Sequence, residues 1–358
     1  MLKYLENLNE EVRSYFSILS PEFPQWLLEY IETPEMQRIG KIALGCGTDY
    51  TNVFNTRYWY SNLDHSVGVA LIVWNFTRDK KQTLAGLFHD IATPVFKHVI
   101  DFLNGDHEKQ ESTEEKTTEI IKNSKHIMEL LKRDNIRLEE VNDYKIYPIA
   151  DNDTPQLSAD RFEYTFSSGL VFHRVWELDN IKECYNNVAI LKNKDGIEEL
   201  GFRDLAICEK YISIISKLWP AWITNADKAV MQFLADVVKT MYDKKIIKLG
   251  ELYTLSEAEV INRILNCEDE NISSSFRKFQ KATKVYDSEE PVSGKYCVSV
   301  KAKRRYIIPL AQNGNTIERI NDLSLLAKKD IDNYFKFETA KYAYFDFDFN
   351  SSKNVLID

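Results

Sequence analysis

The sequence predicts a mainly α helical bundle with a smaller C-terminal α+β portion, on three observations. Apolar residues recur at helical spacing through most of the first 290 residues. An apolar helical run with Leu84, Leu87 and Phe88 on one side delivers an adjacent His-Asp pair, His89-Asp90, just before Pro94. Beyond Pro291, in Lys295 to Leu310 and Tyr342 to Phe349, β-branched and aromatic residues alternate or concentrate as they do in strands.

Residues 1–45 read as short helices, the first with Leu5, Leu8, Val12 and Tyr15/Phe16 on one face, the second over 25–31, a third opening after Pro34 and closed by Gly45-Cys46-Gly47. Asp64 to Thr77 is apolar almost all round, which marks a central helix, with Asn62 or Asp64 as its N-cap. Helices are expected over 80–90 and 98–103. A very polar tract from His107 to about Thr118 reads as charged surface or a lid, and it leads into a helix around 120–131. The turn-rich run 149–157 precedes Ser158, which caps a helix carrying Asp160, Glu163 and Tyr164 on one face. Further helices are expected over 200–218, 226–247 and 256–265, the last opened by a Ser256-Glu259 capping box.

The length suits roughly two domains of about 150 residues. We divide the chain into a core at 1–200, a helical extension packed on it at 201–290, and a small α+β tail at 291–358. A composition of 44% hydrophobic and 28% charged residues is that of a globular protein. The net charge of −9 and the lack of a Lys/Arg-rich arm give no strong nucleic-acid signal, although a local basic pocket for phosphate remains open. Five scattered cysteines without paired spacing read as reduced thiols. Acidic residues interrupt the N-terminus where a signal peptide needs an apolar core, and no run approaches the roughly 20 residues of a spanning helix. The expected address is cytoplasmic, with no membrane partner.

Six histidines occur in the chain, and four of them, His65, His89, His98 and His107, fall within 43 positions together with Asp90, followed by an Asp-rich segment at 151–160. Imidazole and carboxylate together suit a divalent ion, and four such ligands leave two octahedral positions for water and a phosphate oxygen. His126 and His173 have no motif around them and read as structural. Asp151-Asn152-Asp153 reads as a turn.

The order His65, His89-Asp90, Asp160 resembles the H…HD…D signature of the HD-domain phosphohydrolase superfamily, and more narrowly its deoxynucleoside triphosphate triphosphohydrolase branch. The likeness spans about residues 34–170 and includes Glu35 to Gly40, Asp64 to Val69, Ala85 to Ile91, Phe96-Lys97-His98, His107-Glu108 with Ser112, and Asp160 to Tyr164. It implies an HD-domain helical bundle in which His65, His89, Asp90 and Asp160 hold one divalent metal ion (Mn, Mg, Fe, Co, Ni or Zn). It also implies His98 and His107 as catalytic groups that orient or protonate the scissile phosphate. Arg161 and Tyr164 fall where substrate phosphate and sugar are met; Arg38 matches an Arg to which we assign no role.

Two departures stand out. The family's first His after the HD pair is Thr93 here, and a Thr is no general acid near neutral pH. The Arg expected three residues before His65 is Asn62, which leaves Arg57 as the nearest arginine to serve substrate phosphate. The expected function is a metal-dependent phosphohydrolase acting on a small-molecule nucleotide (dNTP-like) or related phosphoester. Two alternatives stay open: a two-metal phosphodiesterase with His98 and His107 on a second ion, and a catalytically impaired nucleotide-binding or regulatory protein. The tail is open to homo-oligomer contacts or an allosteric site.

Overall fold

The computed structural model describes residues 3–103 and 116–351. Its organising element is the helix Asn62–Thr77, buried along most of its length. The cap is Ser61, one residue earlier than expected: its hydroxyl accepts from the Asp64 N–H at 3.1 Å, and the Asp64 carboxylate returns to the Ser61 N–H at 2.8 Å. Arg78, left-handed at φ 53°, ends the helix, and Asp79 then caps Lys80–Phe88 by accepting from the Lys81 and Gln82 N–H groups. These two helices pack along each other, with Ala159–Val171 against the first of them. The last helix opens on the expected Ser158 cap.

The N-terminal pattern splits into Lys3–Asn7 and Glu10–Leu19, and the expected helix around 120–131 becomes Thr117–Asn123 and Lys125–Arg133, because Ser124 closes one and caps the other. Residues 200–204, expected as the start of a helix, open instead with a strand. A hairpin of β1 (Val188–Lys192) and β2 (Glu198–Phe202) precedes the helix Leu205–Leu218. A short buried apolar run has no period that separates strand from helix, and Leu200-Gly201-Phe202 merges with the helical pattern that follows.

In the C-terminal region, the strand expected over 295–310 is short. Two strands, β3 (Tyr286–Ser288) and β4 (Tyr296–Val298), precede residues 299–309, which carry no regular structure; then come β5 (Leu310–Asn313), β6 (Thr316–Arg319), the helix Leu325–Phe335 and β7 (Tyr342–Phe345). One sheet has the order β1-β2-β5-β6 with β2 and β5 parallel; the other has β3-β7-β4. The tail therefore completes a sheet begun by the hairpin. Arg319 locks it there with two bonds to the fully buried Glu199 carboxylate, at 2.7 and 2.6 Å.

Two hydrophobic cores result. One unites the N-terminal helices, the helices at 62–88, 159–171 and 205–218, and Ile307, Ala311 and Ile331. The other gathers Val95, Phe96 and Val99 with the helices Asn225–Asp243, Glu257–Leu265 and Glu270–Lys281 and with Tyr296 and Phe345. The chain crosses from one core to the other between Ile91 and Val95, immediately after His89-Asp90.

Candidate metal centre

His65 lies on the first turn of the central helix, His89 directly follows Lys80–Phe88, and Asp160 lies on the first turn of Ala159–Val171. Their donor atoms converge. His65 Nε2 is 3.2 Å from His89 Nε2 and 3.1 Å from Asp160 Oδ1, and His89 Nε2 is 3.7 Å from the same oxygen. Among the described residues these three form a group whose ligand atoms all lie within 4.8 Å of one another. Asp90 Oδ2 stands beside them, 3.5 Å from His89 Nε2 and 3.8 Å from His65 Nε2, and it accepts from Lys97 Nζ at 2.7 Å.

The hydrogen bonds on the far side of each ring assign its tautomer. His89 Nδ1 faces the Gly86 carbonyl at 2.7 Å and so carries the proton it donates. His65 Nδ1 donates to the buried Glu163 carboxylate in a short contact. With His65 and His89 neutral, two Nε2 lone pairs and a carboxylate oxygen would face one point, where a divalent ion can take the place of the proton that His65 otherwise shares with Asp160. The donor set fits one divalent ion, and His65 with Glu163 is the carboxylate-histidine pair that orients metal-bound imidazoles. Burial alone would lower the His65 pKa, but Glu163 and Asp160 prevail and raise it to about 9. The same negative potential serves a metal ion. Burial opposes ionisation of Asp90 and Asp160 as well, yet Lys97, His89 and His65 hold Asp90 far below the usual carboxylate range, and His65 and His89 do the same for Asp160.

Glu163 was not singled out in the sequence. Wholly buried, it accepts from Tyr60 Oη at 2.6 Å, Ser167 Oγ at 3.1 Å and Tyr15 Oη at 3.3 Å as well as from His65. Gly68 on the central helix makes room for it: a Cβ there would stand 2.7 Å from Glu163 Cγ. The one-face spacing of Asp160, Glu163 and Tyr164 was the signal available.

The cluster opens on a cavity of about 720 Å³ whose lining includes Lys97, His98, Arg161, Tyr164 and Arg305. Arg161 is turned to the 151–158 loop, bonded to Asn152 Oδ1 at 2.6 Å and the Asn152 carbonyl, with Asp151 Oδ1 at 3.4 Å. Tyr164 packs edge-on against Trp222 with centroids 5.4 Å apart, and the Arg305 guanidinium lies 5.8 Å from its ring centroid. His98 Nδ1 donates to Asp101 Oδ2 at 2.9 Å and its Nε2 accepts from Arg305 at 3.2 Å; burial lowers its pKa, so it is neutral at pH 7. Arg305 comes from the segment without regular structure in the tail, and no motif in the sequence marked it.

Of the other residues marked in the sequence, the described structure places Arg57, Arg38 and His173. Arg57 does not reach the cavity: it pairs with Glu11 at 3.1 Å and reaches the Leu170 carbonyl at 3.4 Å. Arg38 braces the turn after the HD pair, donating to the carbonyls of Thr93 at 2.6 Å and Ile91 at 3.2 Å. His107, with Glu108, lies outside the described residues. His173, set aside as structural, lines the cavity, and burial lowers its pKa to about 4.

Residues 62–152 match the family model of the HD domain. His65, His89 and Asp90 fall within that stretch and Asp160 just beyond it, so the match and the His-His-Asp cluster together support a likeness to the HD-domain phosphohydrolase superfamily. Among curated proteins it is similar to the uncharacterized protein YdhJ of Bacillus subtilis, 22% identical over 79% of this chain and 83% of that one. It is also similar to the metal-dependent phosphohydrolase cns2 of Cordyceps militaris, 25% identical over 42% of each chain. Two solved structures share the fold. A phosphohydrolase from Bacteroides thetaiotaomicron has a TM-score of 0.62 at 14% identity, over 90% of this chain and 96% of the other. A hypothetical protein from Aquifex aeolicus has a TM-score of 0.61 at 15% identity, over 90% and 92%. Among the described residues no helix is long and apolar enough to cross a membrane.

Proposed function

We propose that this protein is a metal-dependent phosphohydrolase acting on a small phosphoester of nucleotide type, in the cytoplasm. The observation that carries the reading is the convergence of His65 Nε2, His89 Nε2 and Asp160 Oδ1 on the wall of a cavity that also holds cationic side chains. The likeness to the Cordyceps relative, a metal-dependent phosphohydrolase, supports it.

His65, His89, Asp90 and Asp160 would hold the ion, which when bound acidifies water and offsets charge on a phosphate. Glu163 fixes the ring plane and tautomer of His65. His98, held by Asp101, aims Arg305 across the face of Tyr164, which places a guanidinium where a phosphate can be met beside an aromatic wall suited to a sugar or base. Arg161, already committed to the 151–158 loop, shapes the rim and adds positive potential. His107 remains the candidate for proton transfer.

The test is a metal-by-substrate hydrolysis screen over dNTPs, NTPs, monophosphates and cyclic dinucleotides with products identified, run on the wild type and on the double variant H89A/D90A. Metal-dependent turnover that the double variant loses is the expected result; equal turnover by both proteins sinks the reading. Release of intact triphosphate would place the protein with the triphosphohydrolases, and release of single phosphate with nucleotidases. A nucleotide that binds tightly and survives with every metal would make it a regulatory binder.

A further inference from the structure

Asn62 and Thr93, the two positions where the sequence leaves its family pattern, meet in the structure. Asn62 Nδ2 donates to Thr93 Oγ1 at 2.8 Å, and Asn62 Oδ1 accepts from Lys97 Nζ at 2.8 Å. Lys97 Nζ also donates to Asp90 Oδ2 at 2.7 Å. All four side chains are buried, Asn62 and Thr93 completely, and Lys97 is 7% exposed. A buried ammonium is costly unless it is paired and hydrogen-bonded, and this one is both.

The backbone is bent to deliver it. Phe96 and Lys97 are successive non-glycine residues in the left-handed region, at φ 62° and 49°. The turn is braced from the second core, where the Phe96 N–H donates to Glu257 Oε1 at 3.2 Å and the Val95 N–H to the Leu252 carbonyl at 2.8 Å. A fixed positive charge therefore stands one atom away from the oxygen that faces His65 and His89.

We propose that Lys97 is an internal cation of the metal centre: it holds Asp90 against the cluster, limits the centre to one divalent ion, and sets the affinity for that ion below what the ligands alone would give. Its charge repels a dication at the cluster and repels a second one beside it more strongly, since two like charges would then oppose that ion. A neutral side chain of similar length removes the repulsion and frees Asp90 Oδ2 as a ligand. The inference rests on the metal-centre reading above and adds to it the part played by one chain-specific residue.

The test is calorimetric titration of the purified full chain with Mn²⁺, with metal content after equilibrium dialysis as a second measure. The variants are Lys97→Met, Lys97→Gln, which keeps a donor for Asp90 without the charge, and Lys97→Arg, which keeps the charge; circular dichroism checks each fold. The wild type and K97R should bind one Mn²⁺ with similar affinity. K97M and K97Q should bind it at least tenfold more tightly, about 1.4 kcal/mol. Two Mn²⁺ per wild-type chain would overturn the proposal, and so would folded neutral variants that bind no more tightly than K97R. If K97M fails to fold, K97Q and the wild-type stoichiometry still decide. A wild type that binds no Mn²⁺ at all overturns the metal-centre reading together with the inference, an outcome distinct from unchanged affinity.

Discussion

Glu163→Gln is the perturbation that separates a positioned metal ligand from a merely buried histidine. The glutamine keeps the shape of the side chain but replaces one of two carboxylate oxygens, each of which accepts from two donors, by an NH₂ group. Tyr60 at 2.6 Å, Ser167 at 3.1 Å, Tyr15 at 3.3 Å and the His65 Nδ1–H all now donate to oxygen, and the site has no acceptor to offer the new amide in their place. Losing a charge-assisted hydrogen bond in a buried setting costs about 1.5–3 kcal/mol. Removing the carboxylate behind a metal-bound histidine typically weakens metal binding about 10–100-fold, or ~1.4–2.7 kcal/mol. The first figure is a cost to folding stability and the second a loss of metal affinity, so E163Q should be less stable and its Mn²⁺ affinity should fall by one to two orders of magnitude. His65, raised to about 9 by Glu163 and Asp160 against the effect of burial, should also titrate at lower pH in the metal-free variant. Calorimetric titration measures the first and NMR titration of the imidazole the second. Mn²⁺ affinity within twofold of wild type, with His65 titrating unchanged, would refute the assignment of Glu163 as the group that orients His65.

Three further outcomes follow from the same geometry. Gly68→Ala puts a Cβ 2.7 Å from Glu163 Cγ and 2.8 Å from its Oε1, an overpacking that should cost about 1–3 kcal/mol in thermal unfolding and displace the His65 partner. Glu257 is fully buried, and although Tyr50 and the Ala43 and Phe96 N–H groups donate to it, burial raises its pKa to about 8. The folded protein then holds a proton that the unfolded chain releases near pH 4.5. That contribution to stability is complete below the unfolded value and is lost as pH rises to about 8, so a melting series over this window should decline in wild type and flatten in Glu257→Gln. Thr93 cannot titrate and His98 is neutral between Asp101 and Arg305, and the function proposed above has His107 as its candidate for protonating a leaving oxygen. His107→Gln should lose about 100-fold on an alkyl phosphoester and far less on p-nitrophenyl phosphate, whose leaving group needs little protonation; equal losses on both would exclude the acid role.

What the sequence made legible was local. The central helix could be read because it is apolar on every side, whereas His65, His89 and Asp160 were marked by the clustering of His and Asp and by the resemblance to the H…HD…D signature, with caps and periodicity placing each at the start or end of a helix. The groups that went unread act across long stretches of chain. Glu163 becomes a positioning group through Tyr60 and Tyr15, 103 and 148 residues away. Arg305 reaches His98 from 207 residues downstream, on a segment whose lack of regular structure leaves no periodic trace. Arg57 is the arginine nearest to His65 in the sequence on its N-terminal side, but the chain from Arg57 to Ser61 turns it toward Glu11 on the N-terminal helix Glu10–Leu19. The β1–β2 hairpin was lost because a buried strand and the first turn of a helix look alike when one runs into the other, although Lys194-Asp195-Gly196 marks the turn between the strands.

The departures at Asn62 and Thr93 show why single positions mislead. Taken alone, Thr93 is a lost histidine and Asn62 a lost arginine, which together suggest a site in decline. In the structure each is the partner of the other, and Asn62 carries the pairing on to Lys97 and Asp90. Decay by chance would leave orphaned polar atoms, since buried groups that lose their partners cost free energy. Instead every polar side-chain atom of Asn62 and the Thr93 hydroxyl is bonded, and the chain accepts two successive left-handed residues to complete the set. A positive charge once expected from Arg on the central helix is supplied by Lys97 from the turn after the HD pair. The cost of that turn is met from the second core, through Glu257 and Leu252. Substitutions at Asn62, Thr93 and Lys97 should therefore be non-additive: once Lys97 is neutral, replacing Asn62 should change Mn²⁺ affinity much less than it does in wild type, because the part of its effect that runs through the ammonium is already gone.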